Sequence, residues 1–427
     1  MAKNLTTGLQ RGLRQSIAGG LGTGDLFSTA SLDLQFARHK SLDSRVTHTR
    51  QSSATYVDGD GVIRTAVTNL LLRSEEFNQS PWINSGAAIT PNAGIAPNGK
   101  ATATRIQDVA SDTLRIVAGT TGQRKSIYAR ATSGSGTVAI LGHAAVAKYI
   151  VTLTETWQRF DFSIDTTETG GTSIYAVDFR AGTLKDVLIW GAQLEESSTV
   201  GQYVKTTTAE NGAPRFDHDP ETGESLGLLV EESRQNLLTD SEDLTGYNKL
   251  NVTTPFDSSV INPTGSTGSY KILADSGLST NSIRINKGAS SANNIAVSAF
   301  VKKSTYRYVL IGFGGLSNSF TALFDIEPGL TSNRLLGQGG KGTYTNIDAG
   351  YQNFPNDWIR IWAVGTTSGT DGFTASLSPD ATTFNITNWT AAGTEEIYAW
   401  ACSMKITYPS PPATSPPKVL PSPALLT

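Results

Sequence analysis

Paired carboxylates are the first chemistry this chain suggests. Glu75-Glu76, Glu195-Glu196, Glu231-Glu232 and Glu395-Glu396 each set two acids side by side. A glycosidase needs two carboxylates facing one bond, about 5 to 10 Å apart. Neighbours in a strand point to opposite faces, so no adjacent pair supplies that geometry by itself. Asp58-Gly59-Asp60-Gly61 resembles the start of a calcium loop, but Val62 and Ile63 occupy the next ligand and glycine positions. A hairpin turn fits it better. Asp217-His218-Asp219 reads as a solvated turn before Pro220, because a metal site wants more ligands and supporting bonds. The 4 histidines show no metal spacing, and there is no nucleophile elbow or phosphate-binding glycine loop. The expectation is a protein without catalytic residues, metal or cofactor.

Aromatic residues are the other candidates. Trp157, Trp190, Trp358 and Trp400 lie in alternating runs, which makes core packing their default. Trp389, Tyr344 and Tyr351 lie in "GLTSNRLLGQGGKGTYTNIDAGYQ" and "SLSPDATTFNITNWTAAG", stretches rich in Asn, Thr and Gly. Read as loops on a rigid scaffold, these combine hydrogen-bonding side chains with aromatic faces, and the three rings become candidates for contact with a glycan-like surface.

The elements that must position these residues follow from composition and repetition. With 427 residues, 17% charged and 38% hydrophobic, and 42 glycines, the chain suits sheets and turns. The net charge of −3, without a basic run, argues against nucleic acid. One cysteine, Cys402, excludes an intrachain disulfide. No apolar run approaches a membrane span, and Arg11 and Arg14 fall where a secretory core would lie, so synthesis in a cytoplasm is expected.

The chain also repeats itself. "TNLLLRSEEF" returns as "QNLLTDSEDL", with Asn69 and Asn236 separated by 167 (236 − 69). In the same order, "ATRIQD" answers "SYKILAD", "DTLRI" answers "NSIRI", and "KSIYARA" answers "VSAFVKK". "TWQRFDFSI" then answers "DWIRIWAV", and "LIWGAQL" answers "YAWACSM". Period-two alternation throughout means half-buried antiparallel strands. The fold class expected is all-β, two tandem β-sandwich (jelly-roll) domains, each preceded by a β-hairpin element. The divisions are an arm over 1–31, a hairpin element over 32–68 and a sandwich over 69–208. A hairpin linker follows over 209–235, then a second sandwich over 236–408 and a proline-rich tail over 409–427. In the arm, Leu5, Leu9, Leu13 and Ile17 form an apolar stripe on a possible helix, broken by glycines that make it marginal alone. That stripe suits docking onto another protein. The tail is extended.

"GAPRFDHDPETGESLGLLVEESRQNLLTDSEDL", "LDLQFARHKSLDSRVTHTRQSSATYVDGDGVIRTA" and "WGAQLEESSTVGQYVKT" resemble tailed-bacteriophage virion proteins of the fibre, tail and head-decoration type, whose modules are like carbohydrate-binding jelly rolls. The likeness covers roughly residues 32–245. The second sandwich departs from it at Ala401-Cys402-Ser403-Met404, where the first has Gly-Ala-Gln-Leu. The resemblance implies a non-enzymatic virion protein assembled in a host cytoplasm. It would be a fibre or appendage subunit, a homotrimer, anchored to other virion proteins by its N-terminal arm and reaching a host glycan through its distal domain. A capsid decoration or cement protein is one alternative, and a glycan-degrading tailspike is another.

Overall fold

The computed structural model describes residues 36–42, 46–50, 54–84, 86–109, 113–117, 124–142, 149–163, 173–231, 235–278, 284–290 and 294–407. The arm with Leu5, Leu9, Leu13 and Ile17, and the proline-rich tail, lie outside them. One helical turn, α1 (Phe36–His39), precedes a hairpin of β1 (Thr55–Val57) and β2 (Ile63–Thr65). Its turn closes on Asp58, whose Oδ1 accepts from the amides of Asp60 and Val62 and whose Oδ2 accepts from Arg64. The carboxylate is committed to its own turn.

The first sandwich begins with β3 (Thr68–Asn69), β4 (Trp82–Asn84), β5 (Ala88–Gly94), β6 (Ala103–Gln107), β7 (Thr113–Val117) and β8 (Arg124–Ala131). It continues with β9 (Gly136–Gly142), β10 (Ile150–Leu153), β11 (Gln158–Ser163), β12 (Ser173–Gly182) and β13 (Asp186–Glu195). Its two sheets run β10-β9-β12-β7-β4 and β11-β8-β13-β6-β5, all antiparallel. Ile106, Ile127, Ile140, Val177 and Ile189 fill the space between them. β14 (Asn211–Gly212) returns to pair with β3, and the linker hairpin is β15 (Phe216–His218) with β16 (Ser225–Leu228).

The second sandwich opens with β17 (Asn248–Leu250), β18 (Val252–Thr253), β19 (Phe256–Ile261), β20 (Thr267–Ala274), β21 (Gly277–Leu278) and β22 (Arg284–Ser290). Next come β23 (Asn294–Lys303), β24 (Tyr308–Gly314), β25 (Ser319–Asp325), β26 (Leu335–Lys341) and β27 (Thr345–Asn353). It closes with β28 (Ile359–Thr366), β29 (Asp371–Leu377), β30 (Thr390–Ala391) and β31 (Glu396–Ile406). Its sheets run β17-β22-β29-β24-β25-β26 and β18-β20-β31-β23-β28-β27, with β19 also paired to β20. Taking out β26 and β27 leaves the strand order of the first sandwich. These two strands correct a reading from sequence: the glycine-rich stretch expected as a loop is an inserted hairpin that adds one edge strand to each sheet. It accounts for the drift in the repeat, since Tyr128 and Phe300 are 172 apart (300 − 128) while Trp157 and Trp358 are 201 apart (358 − 157).

The doubled Asn-Leu-Leu has a mechanical reason. Asn69 Oδ1 accepts from the amides of Leu71 and Leu194 at 3.0 and 3.2 Å, and its Nδ2 donates to the carbonyls of Ala192 and Val204 at 2.9 and 2.8 Å. Asn236 Oδ1 accepts from Leu238 and Met404 at 3.1 and 3.0 Å, and Nδ2 reaches the Cys402 carbonyl at 3.4 Å. The following serine takes part in each copy: Ala192 donates to the Ser74 carbonyl and Cys402 to that of Ser241. The motif is a clamp that closes each sandwich over the bulged centre of a long strand, β13 in the first and β31 in the second.

A second correction concerns the hairpins. In sequence a hairpin precedes each sandwich, as expected, but in space both hairpins pack together on the second. Val57 donates to Asp217 Oδ1 at 2.8 Å, Arg215 Nη1 donates to the Thr55 carbonyl at 2.9 Å, and His218 Nδ1 lies 3.0 Å from the Val57 carbonyl. The Ile63 amide then donates to Pro263 of the second sandwich, and Val57 and Ile63 join a core of Phe300, Phe354, Trp358 and Trp400. At the turns, a Cβ on Gly61 would meet the Pro220 carbonyl at 2.5 Å and Pro355 at 2.7 Å. Only glycine allows that approach, at a φ of +75°. The β3–β14 pair meanwhile keeps the same linker tied to the first sandwich.

Candidate functional site

The outer face of one sheet in each sandwich carries the same aromatic arrangement. Trp190 on β13 stands opposite Tyr128 on β8, ring centres 5.4 Å apart and planes at 62°. Trp400 on β31 stands opposite Phe300 on β23, at 5.5 Å and 66°. On the next strand outward, Arg159 is paired with Tyr128 and Arg360 with Phe300. The tryptophan two residues before each arginine reaches across the sheet. Trp157 donates its indole N–H to the Ile95 carbonyl at 2.9 Å, and Trp358 donates to Ile261 at 2.7 Å. Ile95 and Ile261 lie at the β5–β6 and β19–β20 turns of the far edge. The repeated Trp-x-Arg is therefore a latch that pins a hairpin tip over a tryptophan.

What covers the latch differs. In the second sandwich the two hairpins and Phe354 seal it, and Trp358 is 0% exposed. Arg360 is buried with it, and that burial holds its pKa down to about 10 against the pull of Glu231 and Asp217 from the linker. In the first sandwich the cover is Tyr203, 4.4 Å from Trp190, with its hydroxyl on Ser74 at 2.7 Å and on Glu75 at 3.1 Å. Burial first, and the Glu75 carboxylate second, push that phenol above its ordinary range. Lys205 completes the group on Glu75 at 2.8 Å. Gly191 makes room for this cover, since a Cβ there would sit 3.2 Å from the Tyr203 ring and 3.3 Å from Tyr128. The second sandwich has Ala401 at the same bulge, at φ 50°.

Tyr203 covers Trp190, and Trp157 beside them is half-buried, where its counterpart Trp358 is fully buried. The Arg130 guanidinium lies 5.6 Å over that indole, and its Nη1 makes long bonds of 3.3 Å to the carbonyls of Ala131 and Glu155. Arg159 lies 5.4 Å over Tyr128 and donates to Gly201 and Ser126. A flat apolar ring rimmed by guanidinium donors suits a ligand with one apolar face and several hydroxyls.

The three rings singled out from sequence are placed apart. Tyr344 is 4% exposed, part of the second core, with its hydroxyl on Asp371 at 2.7 Å. Tyr351 lies half-buried on β27, seven residues further, about 23 Å along a strand. Trp389 is half-buried and stacks on Tyr306 at 6.0 Å, in a segment anchored by the fully buried Ile386. A cleft of about 250 Å³ where the β15–β16 turn meets β27 is a seam, because Arg334 there donates to Asn353, Asp325 and Glu327. Several members of the acidic pairs are committed too. Glu195 accepts from Gly201 and Gln193, Glu395 from the amides of residues 392–394, and Glu396 from Lys271. Asp219 accepts from the amides of Glu221 and Thr222. Sequence reading expected these tryptophans in the core; Trp190, Trp358 and Trp400 are buried, and Trp157 is half-buried against the Trp190 cluster. It did not single out Arg130 over that ring, although the aromatic and basic residues two apart at Tyr128 and Arg130 were a signal.

No protein-family profile and no curated protein matches this chain. Among solved structures, the chain is similar to the N-terminal CBM22-1-CBM22-2 tandem domain from Paenibacillus barcinonensis Xyn10C, at 12% identity and a TM-score of 0.27, over 84% of this chain and 100% of that one. It is also similar to the tandem CBM51 modules of Sp3GH98, a family 98 glycoside hydrolase from Streptococcus pneumoniae SP3-BS71. There the identity is 9% and the TM-score 0.22, over 76% and 97% of the two chains.

Proposed function

We propose that this chain is a non-enzymatic bacteriophage virion protein, a fibre or appendage subunit that holds a glycan on the outer face of its first sandwich. The virion part rests on the sequence resemblance over residues 32–245. The binding part rests on one observation: the aromatic latch built into both sandwiches is fully buried in the second, while Trp157 and Arg130 of the first are only half-buried, with the guanidinium over the indole. This moves the contact surface from the distal stretches to the first sandwich. Docking of the N-terminal arm on other virion proteins and assembly as a trimer belong to the same proposal.

Purified chain tested against polysaccharides of candidate host cells should bind, and Trp157→Ala should lose at least about ten-fold in affinity, the worth of one well-placed aromatic contact. Trp389→Ala should leave binding intact. Equal binding by wild type and Trp157→Ala removes the glycan role. Antibody labelling of particles should mark the tail; labelling of the head would make the chain a decoration protein.

A further inference from the structure

Arg284 begins β22 on the outer face of the other sheet of the second sandwich, because its neighbour Ile285 points into the core. The register carries that face from Arg284 to Ser376 and Leu310, and from Asn286 to Thr374, Gly312 and Thr321. Arg284 is 8% exposed, and its Nε and Nη1 are buried without a hydrogen-bond partner. Burial lowers its pKa, with Asp371 pulling the other way. Asp371 does not pair with it; its Oδ2 accepts from the Tyr344 hydroxyl instead. On the same face Asn286 Oδ1 and Ser319 Oγ are also buried without partners.

A charged donor left unpaired inside a protein is strongly unfavourable, and an apolar side chain of similar size would avoid that cost. Such orphans are rare enough that each calls for an explanation. Two features say that this one is kept for contact. The guanidinium lies against a glycine turn that offers it no side chain: a Cβ on Gly315 would stand in van der Waals contact, 3.4 Å from Nη2 and 3.5 Å from Nη1. The repeat also has an arginine at the matching position, Arg115 in "DTLRI" against Arg284 in "NSIRI".

We infer that Arg284, with Ser319 and Asn286 on the same sheet face, is a binding site for a carboxylate. The guanidinium fork fits a planar carboxylate through two parallel bonds. Ser319 adds a hydroxyl donor, and the Asn286 amide turned end for end adds an N–H. Asp371 nearby disfavours doubly charged phosphate and selects a singly charged anion. The carboxylate belongs either to a small free acid or to a uronic acid unit of a glycan. This site is separate from the Trp157 face and does not depend on it.

The test uses the full chain in thermal unfolding and titration calorimetry with acetate, glucuronate and inorganic phosphate. Carboxylate should raise the unfolding temperature of the wild type. Arg284→Met should fold with no loss of stability in the absence of ligand and should weaken carboxylate binding at least ten-fold. Asp371→Asn should strengthen it several-fold, which keeps the test decisive even if the Met variant folds poorly. Trp157→Ala should change nothing here. Tighter binding of glucuronate than acetate assigns the site to an acidic sugar, and equal binding assigns it to a small acid. A wild type indifferent to carboxylates, a preference for phosphate, an unchanged response in Arg284→Met, or no gain in Asp371→Asn overturns the proposal.

Discussion

The latch faces of the two sandwiches are built from the same pairs, Trp190 with Tyr128 and Trp400 with Phe300, at nearly the same distances and angles. They end differently because the linker is shared unequally. Both hairpins settle on the second face, where Val57 and Ile63 close over Trp358 and where Asp217 and Glu231 supply negative charge near Arg360. The first face receives a single tyrosine, Tyr203, from the irregular segment between β13 and β14. The two copies of the aromatic surface are therefore covered by different means, the hairpins over the second and Tyr203 over Trp190 of the first, and only the first leaves its latch tryptophan half-buried.

That comparison predicts unequal costs for equivalent substitutions. Trp358→Ala should destabilise the second sandwich by about 3–5 kcal/mol, since it empties a sealed aromatic site and orphans the Ile261 carbonyl. Trp157→Ala at the open rim should cost roughly 1 kcal/mol. Denaturant unfolding, followed by a probe in each sandwich because two domains need not unfold together, checks both values. Equal costs would mean the first face is as closed as the second.

The clamps differ in the same direction. Asn69 is fully buried with four bonds, whereas Asn236 is half-buried with three, one of them long. Asn69→Ala should therefore cost about 2–3 kcal/mol and Asn236→Ala about 1 kcal/mol, by the usual penalty for stranded buried partners. The same unfolding curves measure this.

An effect confined to alkaline pH distinguishes the bulges chemically. Burial pushes the Cys402 thiol up from 9.0 to about 12. The folded chain thus holds a proton that the unfolded chain releases first. The contribution is complete below pH 9 and is lost as pH rises toward 12, at about 1.4 kcal/mol per unit. The first sandwich has Ala192 at this position and should show no such slope. The difference between wild type and Cys402→Ala from pH 8 to 10, which cancels other alkaline titrations, should isolate it.

Much of this was readable along the chain. Period-two alternation and the ordered repeat specify strands and two sandwiches, because a strand must present alternate residues to one core. Asn-Leu-Leu recurs because a clamp over a bulge requires a short side chain that both donates and accepts. What the sequence could not say is which outer face would be covered. β13 is buried along nearly its whole length, inner and outer side chains alike, so Trp190 on the outer face reads the same as a core residue. The glycines of β26 misled for a related reason. Gly337 and Gly339 look like loop residues, yet they are in a strand and their missing side chains make room for the Phe384 ring, which a Cβ would approach to 3.0 and 2.7 Å. Local sequence determines strand, turn and repeat, since those depend on neighbours in the chain. Whether Trp157 stays half-buried while Trp358 is fully buried depends on hairpin 54–66, which precedes both. Only the tertiary packing decided that.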